Sequence, residues 1–338
     1  MSRANSTSSR VAEFLFRFRE VAILGVIIVV VGLTALKTPA FAGLSSIQQI
    51  LTNAALFILL AIGETVVIVT RNVDLSVGST LGLSAFVVGD LYTHHPGTNM
   101  VLAFAVGIGV GVLCGALIGV VVTLAKVPSL VVSLAGLYVY RGVLNIIGIG
   151  VQIEPTSIPM SLQKIGFLNV LDLPWIFVIP FVLVIVAHYA LRAFRANREL
   201  YAIGSNPTAA ELAGIPVAKR VFWAFVVSGA MAGLGGVLFV AEFATVNATA
   251  GTGYELLVVA SCVIGGVAIF GGAGTVLGAA FGAILLQVIN QSLVVINVSP
   301  FWDQALAGAL ILVTIAVDRL LTLRVARAVR LKEEASHG

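Results

Sequence analysis

Charge is what this sequence has least of. Asp, Glu, Lys and Arg together make up 10% of its 338 residues, where a water-soluble domain carries about 25%. That scarcity excludes an ordinary soluble globule. Cysteine is almost missing too. Cys114 and Cys262 both lie in apolar runs, with no Cys or His near them at metal-ligand spacing, which excludes a disulfide framework or a zinc site and leaves two small core residues. The punctuation of catalysis is absent as well. The residues before the lysines are Leu36, Ala125, Gln163, Ala218 and Leu331. No Lys follows a Gly, so a Walker A loop is impossible and this chain cannot bind ATP in that way. Neither H-E-x-x-H nor G-x-S-x-G occurs, and His94 and His95, just before Pro96, read as solvated loop residues. An enzyme is not indicated.

What is abundant is oil. The chain is 59% hydrophobic with a mean hydropathy of +1.10, and several of its apolar runs reach the 17 to 25 or so residues that cross a bilayer as a helix. The runs are continuous rather than alternating, which argues for helices and against a β-barrel. The expected fold is an all-α polytopic membrane protein of about ten spans: 20–36, 48–70, 76–92, 99–124, 127–148, 174–191, 217–241, 254–270, 274–296 and 301–320. Spans 76–92 and 254–270 are short enough to be re-entrant or broken. This divides the chain into an N-terminal segment 1–19, a single membrane domain 20–320 and a tail 321–338, with an interior-side loop at 192–216.

Orientation follows from the basic residues. With the N-terminus inside, every Lys and Arg except Lys37, Arg141 and Lys164 falls on the inner side, which satisfies the positive-inside rule and places both termini in the cytoplasm. The pI near 9.3 is therefore a topology signal, suited to contact with anionic lipid. It is not a nucleic-acid footprint. Trp175 and Trp302 at outer ends and Trp223 at an inner end suit an aromatic belt. Ala40-Phe41-Ala42 after the first span imitates a signal-peptidase site, but the apolar stretch is long for a signal peptide and reads as an uncleaved span. Two glycine ridges, Gly107-Gly111-Gly115-Gly119 and Gly274-Gly278-Gly282, have the spacing that lets helices pack closely in lipid. A role as gating hinges is the less economical reading.

One stretch interrupts the oil: RELYAIGSNPTAAELAGI, residues 198–215. Asn206-Pro207 is a helix start, since Asn accepts from orphan N–H groups and Pro has none to leave unpaired. Gly214 and Pro216 are a stop. The predicted helix, Thr208 to Ala213, is under two turns long and lies on the inner face. Its small face of Ala209, Ala210 and Ala213 suits docking into another protein, with a purely structural interfacial turn as the alternative.

These residues resemble a known family. Ala202-Ile203-Gly204-Ser205-Asn206 followed by Ala209-Ala210 and Gly214-Ile215 is similar to the cytoplasmic loop of ribose-type sugar permeases of ABC importers. Val73-Asp74-Leu75-Ser76-Val77-Gly78-Ser79 resembles that family's "IDLSVGS" signature, Val263 to Thr275 its paired-glycine segment, and Gly308 to Asp318 its last helix. The resemblance covers nearly the whole chain. It implies the ten-helix fold of type II ABC importer permeases, working as a pair of permease chains, identical or not, with a separate ATPase that binds ATP and Mg²⁺ and an external solute-binding protein. It also makes Gly204, Asn206, Pro207, Ala209, Ala210, Glu211, Gly214 and Ile215 a coupling segment seated on that ATPase. Arg71-Asn72 replaces the glycine pair of many relatives, and with Gly251 to Leu256 and Phe301-Trp302 it looks closer to the rhamnose and autoinducer permeases than to the ribose ones. The implied function is import of a small sugar or related polyol through a prokaryotic cell membrane.

Polar residues within spans are costly in lipid and mark pathways or interhelical bonds. Asn53, Glu64, Asp90, Arg141, Asn145, Gln287, Asn290 and Gln291 are such residues, and neutral amides suit hydroxyl-bearing solutes. Glu255, Trp302 and Asp303 sit at expected outer ends, as outer gate or binding-protein contacts. Arg71, Asp74 and Ser76 fall at an inner break and read equally as inner gate, as ATPase interface, or as a helix cap. A secondary transporter with Glu64 as ion site, and a membrane receptor or scaffold without transport, are the rival classes.

Overall fold

The structure, a computed structural model, describes residues 19–299 and, beyond them, only scattered positions between 302 and 316. The tenth expected span, Asp303, the N-terminal segment and the tail therefore lie largely or wholly outside the described residues. Within them, the expected spans are helices: α1 (Arg19–Lys37), α2 (Leu44–Ile68), α3 (Val77–His94), α4 (Met100–Leu124), α5 (Ser129–Ile147), α7 (Trp175–Ala193), α10 (Val217–Phe243), α11 (Tyr254–Ile264) and α12 (Val276–Val295). Seven of these are long and apolar enough to cross a membrane. The two that are not, α3 and α11, are the two expected to be broken or re-entrant.

Their shortness has different causes. The 11 residues of α11 rise about 16 Å, roughly half a bilayer core. By contrast α3 has 18 residues, but it is rich in Gly, Ser and Thr and buried along most of its length, so it needs no oily surface. It also starts deep. After α2 ends, residues 72–76 return into the bundle, and the Asp74 N–H donates back to Glu64 Oε1 at 3.1 Å. The first turn of α3 thus begins beside Ser228, which lies about 16 Å into α10 at the helical rise per residue.

Helices α2 and α10 form the centre, buried nearly throughout, whereas α1 is peripheral. Hydrogen bonds strap α1 to α12 near both ends, Glu20 to Thr275 at 2.9 Å and Thr34 to Ser292 at 3.1 Å. Because lipid tails supply no hydrophobic drive between helices, association rests on close packing and interhelical hydrogen bonds. The first glycine ridge provides both. Gly111 and Gly115 of α4 meet Gly229 and Gly233 of α10 backbone to backbone. Ser84 of α3 donates to the carbonyls of Gly107 (3.0 Å) and Gly233 (2.8 Å), knotting three helices. A Cβ at position 111 would overlap the Gly229 carbonyl, and neither backbone can yield alone. Gly111→Val is accordingly expected to destabilise the bundle by about 1–3 kcal/mol or more, read as a lower melting midpoint of the detergent-solubilised protein. The second ridge packs α12 on Ser261 and Gly265 at the end of α11.

The α5–α7 connection holds features the apolar pattern does not announce: α6 (Met160–Phe167) and a two-residue-per-strand hairpin, β1 (Asn169–Val170) and β2 (Leu173–Pro174). Its turn residues Leu171 and Asp172 both have positive φ, the geometry that matches the twist of a tight hairpin.

Candidate functional site

Three polar regions concern function: the segment between α7 and α10, a carboxylate cluster in the middle of the bundle, and a cavity towards the opposite end.

The first is two helices rather than one. α8 (Arg195–Ser205) runs straight into α9 (Pro207–Leu212), with Asn206 as the joint. Its Oδ1 accepts the Ala209 N–H at 3.0 Å, the cap its position predicts. At the other end Gly214 has φ +79°. The Gly214 N–H donates to Glu211 O at 2.9 Å and the Ile215 N–H to Ala210 O at 3.0 Å, the paired bonds of a Schellman stop. The helix is shifted by one residue from its expected bounds. Sequence reasoning missed α8, although Leu200 and Ile203 on its buried face and the Arg195–Glu199 pair four residues apart carried the signal.

α8 is clamped to the bundle. Gly204 lies against the Val69 carbonyl and the Gly272 N–H, and a Cβ there would overlap both. Gly272 N–H in turn donates to Val69 O at 3.0 Å. Tyr201 Oη donates to Gly274 O at 3.1 Å, and Glu199 pairs with Arg220 of α10 at 2.7 Å. One small segment therefore touches the end of α2, the loop joining α11 to α12, and the start of α10. Two of the expected docking residues face inward: Gly204 and Ala210 are buried in their own chain, because α9 needs an inner face to be held at all. Pro207 and Ile215 are half-buried. The outward face is Ala209, Glu211, Leu212 and Ala213, and Leu212, which sequence reasoning did not single out, is 87% exposed.

The carboxylate cluster corrects a second expectation. Asp74 and Ser76 are 1% and 2% exposed and are no surface for another subunit. Ser76 donates its N–H (2.9 Å) and its hydroxyl (2.6 Å) to Asp74 Oδ1, and Ser228 donates to Asp74 Oδ2 at 2.9 Å. Asp74 thus fastens the backbone that re-enters the bundle, supplying partners that lipid cannot. Glu64, fully buried, braces the same turn and does not line the cavity described below. Arg71 is exposed, with φ +69°, and its backbone abuts Gly271. The three residues of the supposed inner site are therefore split between a surface turn and a buried lock.

The cavity, of about 260 Å³, is lined by Asn53 and Phe57 of α2, Glu242 of α10, Tyr254 of α11, and Gln287 and Asn290 of α12, among others. Three of the expected pathway residues meet there. The others do not. Arg141 donates to the carbonyls of Ala248 (3.1 Å) and Ala250 (2.6 Å), pinning the loop before α11. Asn145 is exposed on α5, Gln291 bonds Gln49 at 2.9 Å, and Asp90 pairs with His94 at an exposed end. Glu255 turns inward, its Oε2 buried next to Gly78 of α3, so it is not a surface contact. Trp302 is exposed. Glu242 was missed because a carboxylate at the end of a long apolar run reads as an interfacial group.

The family described as "Branched-chain amino acid transport system / permease component" matches residues 46–315. The autoinducer 2 import system permease protein LsrC of Photorhabdus luminescens is 32% identical over 89% of both chains. That of Klebsiella pneumoniae is 35% identical over 93% of this chain and 90% of its own, and that of Salmonella typhi 32% identical over 96% and 92%. No solved structure matches. Four ordered motifs, an all-helical polytopic fold and these matches converge: the chain belongs to this family of multi-pass membrane permeases, as a ribose-type permease subunit of an ABC importer.

Proposed function

We propose that this permease, working as one of a pair, passes a small sugar or polyol of the ribose, rhamnose, xylose or autoinducer type. In this reading an external binding protein delivers the solute. A separate cytoplasmic ATPase, holding the ATP and Mg²⁺, drives the cycle through α8 and α9. Both termini lie inside, and the chain itself catalyses no reaction. The observation that carries the reading is the seating of α8. It rests on the end of α2, the α11–α12 loop and the start of α10, and these four helices line the cavity. A displacement of α9 by an ATPase is thereby passed to the cavity walls without crossing a flexible linker. Packed helices shift between discrete arrangements rather than deforming continuously.

The solute class rests on the neutral amides of the cavity and on the relatives named for autoinducer 2 import. The test is reconstitution of the permease with its ATPase and binding protein in vesicles, with autoinducer 2 and ribose as probes. ATP should drive accumulation of at least one. Uptake that follows an ion gradient and ignores ATP would establish the secondary-transporter rival. ATP hydrolysis with no flux of either probe would favour a receptor or scaffold.

A further inference from the structure

The cavity has more chemistry than a passage for neutral solutes requires. Glu242 Oε2 is buried and has no hydrogen-bond partner among the described residues. A buried carboxyl oxygen left unpaired is expensive, so the fold holds a polar group in wait for a partner. The side-chain amides of Asn53, Gln287 and Asn290, each offering both donors and an acceptor, line the same space. Phe57 and Tyr254 lie with ring centroids 4.6 Å apart and tilted by 40°, adding an aromatic wall and a phenol. Glu242 is the only acidic or basic residue among the described lining residues. Arg141 spends its guanidinium on the Ala248 and Ala250 carbonyls.

We infer that this cavity is a polyol-binding site in which a solute hydroxyl pairs with Glu242 Oε2, and that, with no cation among its described lining residues, it bars the phosphorylated form of the same solute. The inference rests on the importer reading for its biological setting, though not for its chemistry. Hydroxyl groups satisfy the carboxylate and exchange hydrogen bonds with the three amides, while the sugar's carbon face packs on the aromatic wall. A phosphate would have to shed its water in a site with no cation among the described lining residues to receive it, so selectivity comes from that uncompensated desolvation as much as from attraction. At the helical rise per residue, Phe57 lies about 16 Å before the α2 terminus on which α8 sits. Glu242 at the end of α10 and Tyr254 at the start of α11 place the site on the side of the bundle away from α9, since α10 begins at α8.

The experiment uses the complete importer in vesicles, with Leu257→Cys, a lining position without a polar role in the site, introduced into the permease. Cys114 and Cys262 are buried and give little background to a charged thiol reagent. Ribose, xylose and rhamnose are each tested for slowing the labelling, against ribose 5-phosphate. At least one neutral sugar should protect about tenfold better than the phosphorylated one, and Glu242→Gln should weaken protection by the neutral sugar. The Gln variant keeps the shape of Glu and exchanges one oxygen for an NH₂ donor, so it also guards against a folding defect in Glu242→Leu, which should abolish protection. Protection by none of the sugars, or equal protection by ribose and ribose 5-phosphate, overturns the inference. ATP-driven uptake is followed in the same vesicles. Protection without uptake sinks the importer reading alone, and uptake without protection sinks the cavity assignment alone.

Discussion

Leu212→Asp is expected to lower ATP-driven uptake at least about tenfold while the permease accumulates in the membrane at its normal level. The two halves of that outcome have separate reasons. Leu212 is 87% exposed at the last position of α9, so within this chain its replacement alters little, about 0.5 kcal/mol or less. Against a docked ATPase the same side chain would be desolvated. Losing a buried leucine costs about 1.5–3 kcal/mol, and placing an unpaired carboxylate in its stead adds a larger penalty. Basal ATP hydrolysis by the complex should become independent of solute, because the ATPase then turns over without pulling on the permease. Ala210→Leu is the contrasting variant. Ala210 is buried beneath α9, so added bulk there is expected to lower the melting midpoint of the solubilised protein rather than to uncouple an intact one. Normal uptake by Leu212→Asp would remove α9 from the coupling path.

The contrast between Leu212 and Ala210 marks where sequence reasoning runs out. The caps of α9 were legible because they are local: Asn206 and Gly214 fix their turns through bonds to residues three or fewer positions away. The spans were legible because lipid imposes length and continuity. Which face of α9 points outward is a tertiary fact, settled by the burial of Ala210 in the bundle, and the sequence alone did not separate Ala210 from Ala209 and Ala213. The same holds for the polar residues within spans. Asn53, Gln287 and Asn290 look no different in sequence from Asn145, which faces outward, or from Gln291, which bonds its neighbour Gln49. Only the convergence of α2, α10, α11 and α12 separates them. Glu242 was the hardest, because its meaning depends on three other helices closing over it. Asp74 was half legible: the motif marked it as special, and only the structure shows its depth in the bundle.

That depth gives the second large expectation. Asp74→Ala is expected to leave too little folded permease to purify, whereas Ser228→Ala lowers the melting midpoint and still folds. The carboxylate of Asp74 takes three bonds, the Ser76 N–H, the Ser76 hydroxyl and the Ser228 hydroxyl. Removing it strands three buried donors, each costing about 1–3 kcal/mol, against total stabilities of about 5–15 kcal/mol. Ser228→Ala removes one donor and leaves Asp74 bound to Ser76, so its effect should be near one such increment. Asp74→Asn is the discriminating variant. Its amide oxygen still accepts from Ser76, but its NH₂ meets the Ser228 hydroxyl as a donor, and that hydroxyl can turn to accept. Asp74→Asn should therefore fold, with a midpoint between those of Ser228→Ala and the wild type or close to the former. If Asp74→Ala instead folds with an unchanged midpoint and only uptake is lost, the residue acts in gating and the re-entrant turn does not depend on it. A lost fold with Ala and a retained one with Asn would mean that the backbone break before α3 is held by acceptor geometry rather than by charge.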